Sequence, residues 1–141
     1  MIKRSVTINW IIVLLAMTYC SVKDQKVVYR DRATLRAVES RLDSLYRDSL
    51  MVFFEQGFNG TLIEIKKDDV VYRENITTSQ EVQLATVKNI GSNKEFKEFS
   101  ISVNGGKYIP IKIIDPFKYV AVSFLADTVY IDYMVHYPKY E

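Results

Sequence analysis

The chain of 141 residues is poor in the side chains that most enzymes and metalloproteins depend on, with one cysteine and one histidine. A single cysteine excludes an internal disulfide and any cysteine-built zinc site. A single histidine, with no second to share a metal or complete a relay, removes most of the common catalytic constellations. Charge of one sign is scarce as well. The 19 basic and 17 acidic side chains leave a formal net charge of +2, which argues against a nucleic-acid binder working through bulk electrostatics. No glycine-rich phosphate loop, Ser-His-Asp spacing or Cys-x-x-Cys occurs. The sequence therefore reads as a non-enzyme that needs no cofactor. What it has in quantity is apolar surface. Residues that are 48% hydrophobic and 13% aromatic, with ten tyrosines, suffice for one domain with a modest core and are too many for a disordered chain.

The amino terminus carries the clearest signal. Met1-Ile2-Lys3-Arg4 is basic, and Ile11-Ile12-Val13-Leu14-Leu15-Ala16-Met17 is an unbroken apolar run. A positive start followed by a segment that partitions into the bilayer is the layout of a signal sequence or membrane anchor over residues 1–20. Cys20 stands where a bacterial lipoprotein carries its lipid-modified cysteine, although the bulky Tyr19 before it departs from the small residues of that motif. Three outcomes stay open. Cys20 is lipidated, the segment remains as an uncleaved anchor, or cleavage releases the body. Ser5 to Val22 spans 18 residues, about 27 Å as a helix and close to a hydrocarbon core. Each outcome places the body in the cell envelope or beyond, facing away from the cytoplasm. Without Lys3 and Arg4 that body is formally neutral, so it steers no anionic partner strongly.

Residues 21–30 are polar apart from Val27-Val28-Tyr29 and read as a tether. From Asp31 the period changes. Leu35, Val38, Leu42, Leu45 and Val52 share a helical stripe, Asp31 can cap its start, and Gly57 is a natural stop, which predicts an amphipathic helix over 31–56. Phe53 and Phe54 draw its end towards a core, so the stripe is expected to lie on the following domain. The alternative is a coiled-coil stalk through which the protein self-associates.

Beyond Gly60 the period becomes two, with turn residues recurring about every ten positions. Thr61 to Lys66, Val70 to Glu74, Val82 to Ile90, Glu95 to Val103, Tyr108 to Ile114, Phe117 to Leu125 and Thr128 to His136 read as seven strands. Asn104-Gly105-Gly106 is the strongest hairpin turn, because these residues tolerate positive φ. Alternation places Phe99, Ile101 and Val103 on one side, and likewise Ile109, Ile111 and Ile113, then Val120, Val122 and Phe124, then Val129, Ile131, Tyr133 and Val135. Strands with one apolar side need a second layer, so residues 57–141 are expected to form a seven-stranded antiparallel β-sandwich. Pro110, lacking an amide hydrogen, belongs at an edge or a bulge. In strand number, residues 60–137 resemble the small immunoglobulin-like and transthyretin-like sandwiches. With its signal and candidate lipid cysteine the whole chain resembles small bacterial envelope lipoproteins. That resemblance is architectural and brings no functional residues with it.

Few residues suggest chemistry. Tyr130, Asp132 and His136 fall on the outward side of the last strand, with Tyr108 and Tyr119 in adjoining strands, and such tyrosines supply contact area with a polar tip. These five are the candidate binding surface. His136 lacks a nucleophile motif and a second histidine to make it a catalytic base. Asp68, Asp69, Asp115 and Asp127 sit in turns, where aspartate bonds nearby backbone, and no Asp-x-Asp loop organises them for calcium, so no metal is expected. The sequence thus points to a non-catalytic module that binds a protein, peptide or glycan partner at a membrane surface. The alternative is an assembly component that self-associates through residues 31–56.

Overall fold

The computed structural model describes residues 24–32, 41–95 and 97–140. The signal or anchor segment, Cys20, Leu35 and Val38 lie outside them. Among the described residues no helix is long and apolar enough to cross a membrane.

The architecture is mainly β and sandwich-like. In chain order the elements are β1 (Lys26–Asp31), α1 (Arg41–Leu45), β2 (Ser49–Phe54), β3 (Thr61–Lys67), β4 (Val70–Ile76), β5 (Thr86–Ser92), β6 (Glu98–Val103), β7 (Ile109–Lys112), β8 (Tyr119–Leu125) and β9 (Thr128–Met134). Five strands form one sheet in the order β1-β9-β8-β2-β5, and four form the other in the order β4-β3-β6-β7. The four-stranded sheet is wholly antiparallel. The expectation of an antiparallel sandwich is corrected for the five-stranded sheet, which is mixed, because β1 and β2 reach it from distant parts of the chain and run parallel to β9 and β8.

Each strand expected beyond Gly60 is present: β3 and β4 run one and two residues longer than expected, β5 is shifted to Thr86–Ser92 from the expected 82–90, and β6 to β9 are trimmed at one or both ends. Turn chemistry explains why these strands were visible. Asn104 and Gly105 turn at φ 52° and 70°, and Ala126 and Asp127 at 48° and 60°, where positive φ matches the twist of paired strands. The side chains assigned inward by alternation meet in the main core, which joins Ile63 and Ile65 of β3, Phe99, Ile101 and Val103 of β6, Ile109 and Ile111 of β7, Val120 and Val122 of β8, and Val129 and Ile131 of β9. Pro110 does lie in an edge strand.

Two further expectations are corrected. The sheets hold nine strands rather than seven, since Lys26–Asp31 of the expected tether is β1 and Ser49–Phe54 of the expected helix is β2. A continuous helix over 31–56 is therefore absent, and so is the stalk built on it; the helix among the described residues is the five-residue α1. The physical reason lies in Leu50-Met51-Val52-Phe53-Phe54, which is buried throughout. Leu50, Val52 and Phe54 face the main core, while Met51 and Phe53 face a second cluster on the far side of the same sheet with Tyr119, Ala121 and Met134. A central strand covered on both faces reads as an unbroken apolar run, in which helical and strand spacings both find matches. Val52, placed on the helical stripe, is fully buried in this strand, whereas Leu42 and Leu45 are 41% and 67% exposed. Burying each of Leu50, Val52, Phe53 and Phe54 stabilises by about 1.5–3 kcal/mol, more than the helical preference of so short a segment can offset.

The second cluster has its own cover. Tyr46 after α1, Leu84 and Val87, and Tyr137 and Tyr140 of the carboxyl-terminal segment pack against it. The Phe53 ring meets Tyr137 edge-on at 5.0 Å, and Tyr46 stacks on Tyr137 at 5.5 Å. Asp43 of α1, buried to 3%, accepts a hydrogen bond from the Tyr137 amide at 2.6 Å and so ties the carboxyl-terminal segment to the helix.

Candidate functional site

Where two sheets lie face to face, their edges also meet, and β1 and β7 meet on one flank. Alternation along β6 and β7 sets the chemistry there. Phe99 pairs with Ile111 and Ile101 with Ile109, leaving the backbone groups of Pro110 and Lys112 turned away from β6. Two tyrosines take up those groups. The Tyr29 hydroxyl of β1 donates to the Pro110 carbonyl at 3.0 Å, and the Lys112 amide faces the Tyr133 phenol of β9 and favours its charged form. Burial pushes the Tyr133 phenol up from its ordinary range, with the Lys112 amide acting in the opposite direction.

With their hydroxyls engaged, these tyrosines present ring surface to a cleft of about 570 Å³. Tyr29 and Tyr133 stack at 6.5 Å and 16°, and Phe117 meets Tyr133 at 5.7 Å. Pro110 and Ile114, the latter 61% exposed, extend the apolar wall, and Asp31, Glu98 and Lys112 set charges of both signs around it. The volume lies within the range of small-ligand sites, and an apolar concavity with few polar groups is the usual form of one. Such a surface can hold a ring or an apolar side chain by stacking and orient it through the rim charges.

Behind the cleft a network of charges fixes β1. Odd-numbered Val27, Tyr29 and Asp31 face the opposing sheet, so Arg30, like Arg32 just past the strand end, turns to the far side. Arg30 Nε and Nη2 donate to Asp132 at 2.5 and 2.8 Å. Arg32 donates to both oxygens of Glu55 at 2.8 and 2.7 Å and to Asp132 at 2.9 Å. The Tyr140 hydroxyl donates to Glu55 at 2.8 Å. Asp132 and Glu55 are only 3% and 5% exposed, so the guanidinium groups neutralise two carboxylates that burial alone would penalise. Hydrogen bonding to Glu55 holds the Arg32 guanidinium well above its ordinary range, and burial followed by the Glu55 charge holds the Tyr140 phenol well above its own. The network's work is to hold β1, and with it Tyr29, in register.

The five residues proposed from the sequence do not form one surface. Alternation put Tyr130 and Asp132 on the correct face, but that face is covered. Asp132 is buried under the arginines, and Tyr119, fully buried, belongs to the second cluster. Tyr130 lies half-buried beneath the Arg30 guanidinium, 4.6 Å from ring centroid to Cζ. His136 follows the end of β9, with Nδ1 3.6 Å from the Asp43 carboxylate. Tyr108 belongs to the other sheet's flank, 43% exposed, with its hydroxyl 3.4 Å from Glu64. The missing premise was the carboxyl-terminal cover, in which Tyr137 and Tyr140 act as core.

Sequence reasoning missed Tyr29, Phe117 and Tyr133 as a group. Val27-Val28-Tyr29 was the available signal, a β-branched pair before an aromatic, concealed by its charged flanks. The turn aspartates stay dispersed, and among the described residues no group of three or more histidine, cysteine or acidic side chains could hold a metal ion. Comparisons with protein-family models, with curated proteins and with solved structures find no match to this chain.

Proposed function

We propose that this protein is an exported, membrane-associated binding module of the cell envelope, which takes a peptide or glycan segment of its partner into the cleft between β1 and β7 and performs no catalysis. The observation that carries the reading is the meeting of Tyr29, Phe117 and Tyr133 around an open apolar cleft with its hydroxyls already engaged. Stacking surfaces of this kind give contact area at low conformational cost. The basic start and apolar run of residues 1–17 support delivery across a membrane, with Cys20 as the lipidation candidate.

Ile114→Asp and Phe117→Ala test the site. Short apolar peptides bearing one basic residue, and soluble oligosaccharides, are titrated while amide shifts are followed by NMR. Shifts should cluster at Tyr29, Ile114, Phe117 and Tyr133, and both variants should weaken them at least tenfold. Ile114 is exposed, so Ile114→Asp should leave the melting temperature within about 2 °C. Saturable shifts that survive both substitutions place binding elsewhere. Intact mass of membrane-extracted protein tests the delivery: a soluble cytosolic chain starting at Met1 contradicts it.

A further inference from the structure

A two-sheet fold has four edges, and in this one three are protected. On β7, Pro110 lacks an amide hydrogen and two tyrosines occupy the outward backbone groups. On β5, the pairing with β2 shifts register, and Lys67 Nζ donates to the Ile90 carbonyl at 2.6 Å. On β1, Lys26, Arg30 and Asp31 take three of six positions. The remaining edge, β4, has neither proline nor bulge, keeps regular register with β3 over all seven pairs, and exposes its first six residues. Val70, Val71 and Tyr72 are 52%, 43% and 55% exposed. Its two charges are each held by a partner within the chain, Arg73 by Glu64 and Glu74 by Lys88. An apolar edge of this length is a template for strand pairing.

We infer that β4 pairs antiparallel with β4 of a second copy of this chain, in a register centred on Tyr72. The two-residue turn at Asp68-Asp69 makes Lys67 and Val70 a bonded pair, and alternation then leaves the amides and carbonyls of Val71, Arg73 and Asn75 facing outward. A two-fold axis through such a pair requires one residue to face itself. Centring on Arg73 or on Glu74 sets like charges directly opposite, which is destabilising. Centring on Tyr72 sets Val71 opposite Arg73, Val70 opposite Glu74 and ring opposite ring. Tyr72 shares the core face with Ile65, its β3 partner. There it borders a groove of about 260 Å³ over Ile63 and Ile65, which the second ring would help to cover. The pairing joins two four-stranded sheets into one of eight strands and leaves the aromatic cleft on the opposite flank open.

Single-cysteine variants of the full chain, in a Cys20→Ser background, read the register directly. Under mild oxidation Tyr72→Cys should form a disulfide-linked dimer at least tenfold faster than Arg73→Cys or Glu74→Cys, because residues facing each other in a non-bonded pair have the closest Cβ atoms. Equal rates at all three, or a faster Arg73→Cys, overturn the proposal. Because Tyr72 is exposed, Tyr72→Lys should leave thermal melting unchanged while abolishing cross-linking between Val71→Cys and Arg73→Cys chains when each also carries it. Retained cross-linking in that pair would count equally against it.

Discussion

Removing Arg32 separates two accounts of the charge network. Its side chain is 38% exposed, whereas its partners Glu55 and Asp132 are 7% and 4% exposed. Were Arg32 a surface ion-pair donor, Arg32→Ala would cost about 0–1 kcal/mol. The burial of the acidic partners argues otherwise, since deleting one member of a buried pair leaves an uncompensated charge at about 3–5 kcal/mol. Asp132 would still be gripped by Arg30 through both oxygens, but among the described residues the Glu55 carboxylate would keep only the Tyr140 hydroxyl. The expected cost is therefore near the lower limit, about 3 kcal/mol, or roughly 10 °C in melting temperature for a domain of this size. Glu55→Gln removes the charge itself and leaves Arg32 partly solvated and bound to Asp132, which predicts about 1–2 kcal/mol. In the double variant no buried anion is stranded at Glu55, so its cost should fall short of the sum by at least about 1 kcal/mol. Thermal and urea unfolding followed by circular dichroism give all three values. An Arg32→Ala loss below about 1 kcal/mol, or strict additivity, would refute the claim that buried carboxylates set the strength of this contact.

Tyr140 predicts an alkaline limit. Its phenol is raised by burial and by the Glu55 charge, so folding favours the neutral form; the contribution is complete below the unfolded phenol range near pH 10 and is lost as pH climbs through the folded value. Tyr140→Phe should cost about 1.5 kcal/mol at neutral pH and flatten the decline in melting temperature above pH 10, and parallel curves for the two proteins would exclude this linkage. Gly57 predicts a local steric limit: at φ +87° an added Cβ would stand 1.7 Å from the Phe124 carbonyl oxygen, whereas Gly60 at +60° has nothing within 4 Å. Gly57→Ala should therefore lose more than about 3 kcal/mol and Gly60→Ala about 1 kcal/mol in urea unfolding, and equal losses would show that the Phe124 contact is readily relieved.

Legibility followed the distance over which a residue's environment is decided. The strands that meet a neighbour across a short turn, β3 with β4, β6 with β7 and β8 with β9, announced themselves, because alternation and turn residues such as Asn104-Gly105 are both local; β5, whose partner β2 is distant, was found but displaced along the chain. The inward faces of β6, β7, β8 and β9 were assigned correctly for that reason. For β1 and β2 the same reasoning failed. Their parallel neighbours β9 and β8 lie far along the chain, and the double burial of Leu50 to Phe54 erased the period that would have distinguished strand from helix.

The candidate site divides along the same line. That Tyr133 faces inward and that Pro110 marks an edge are properties of short segments, set by side-chain alternation and a missing amide hydrogen, and the amino-acid order alone determined them. That Tyr29 reaches Pro110, that Phe117 closes on Tyr133, and that Asp132 and Tyr119 are covered rather than displayed were decided by tertiary packing. Burial belongs to whatever lies on top of a residue. Here the cover comes from Arg30 and Arg32 at one end of the chain and Tyr137 and Tyr140 at the other, and no window along the sequence contains both.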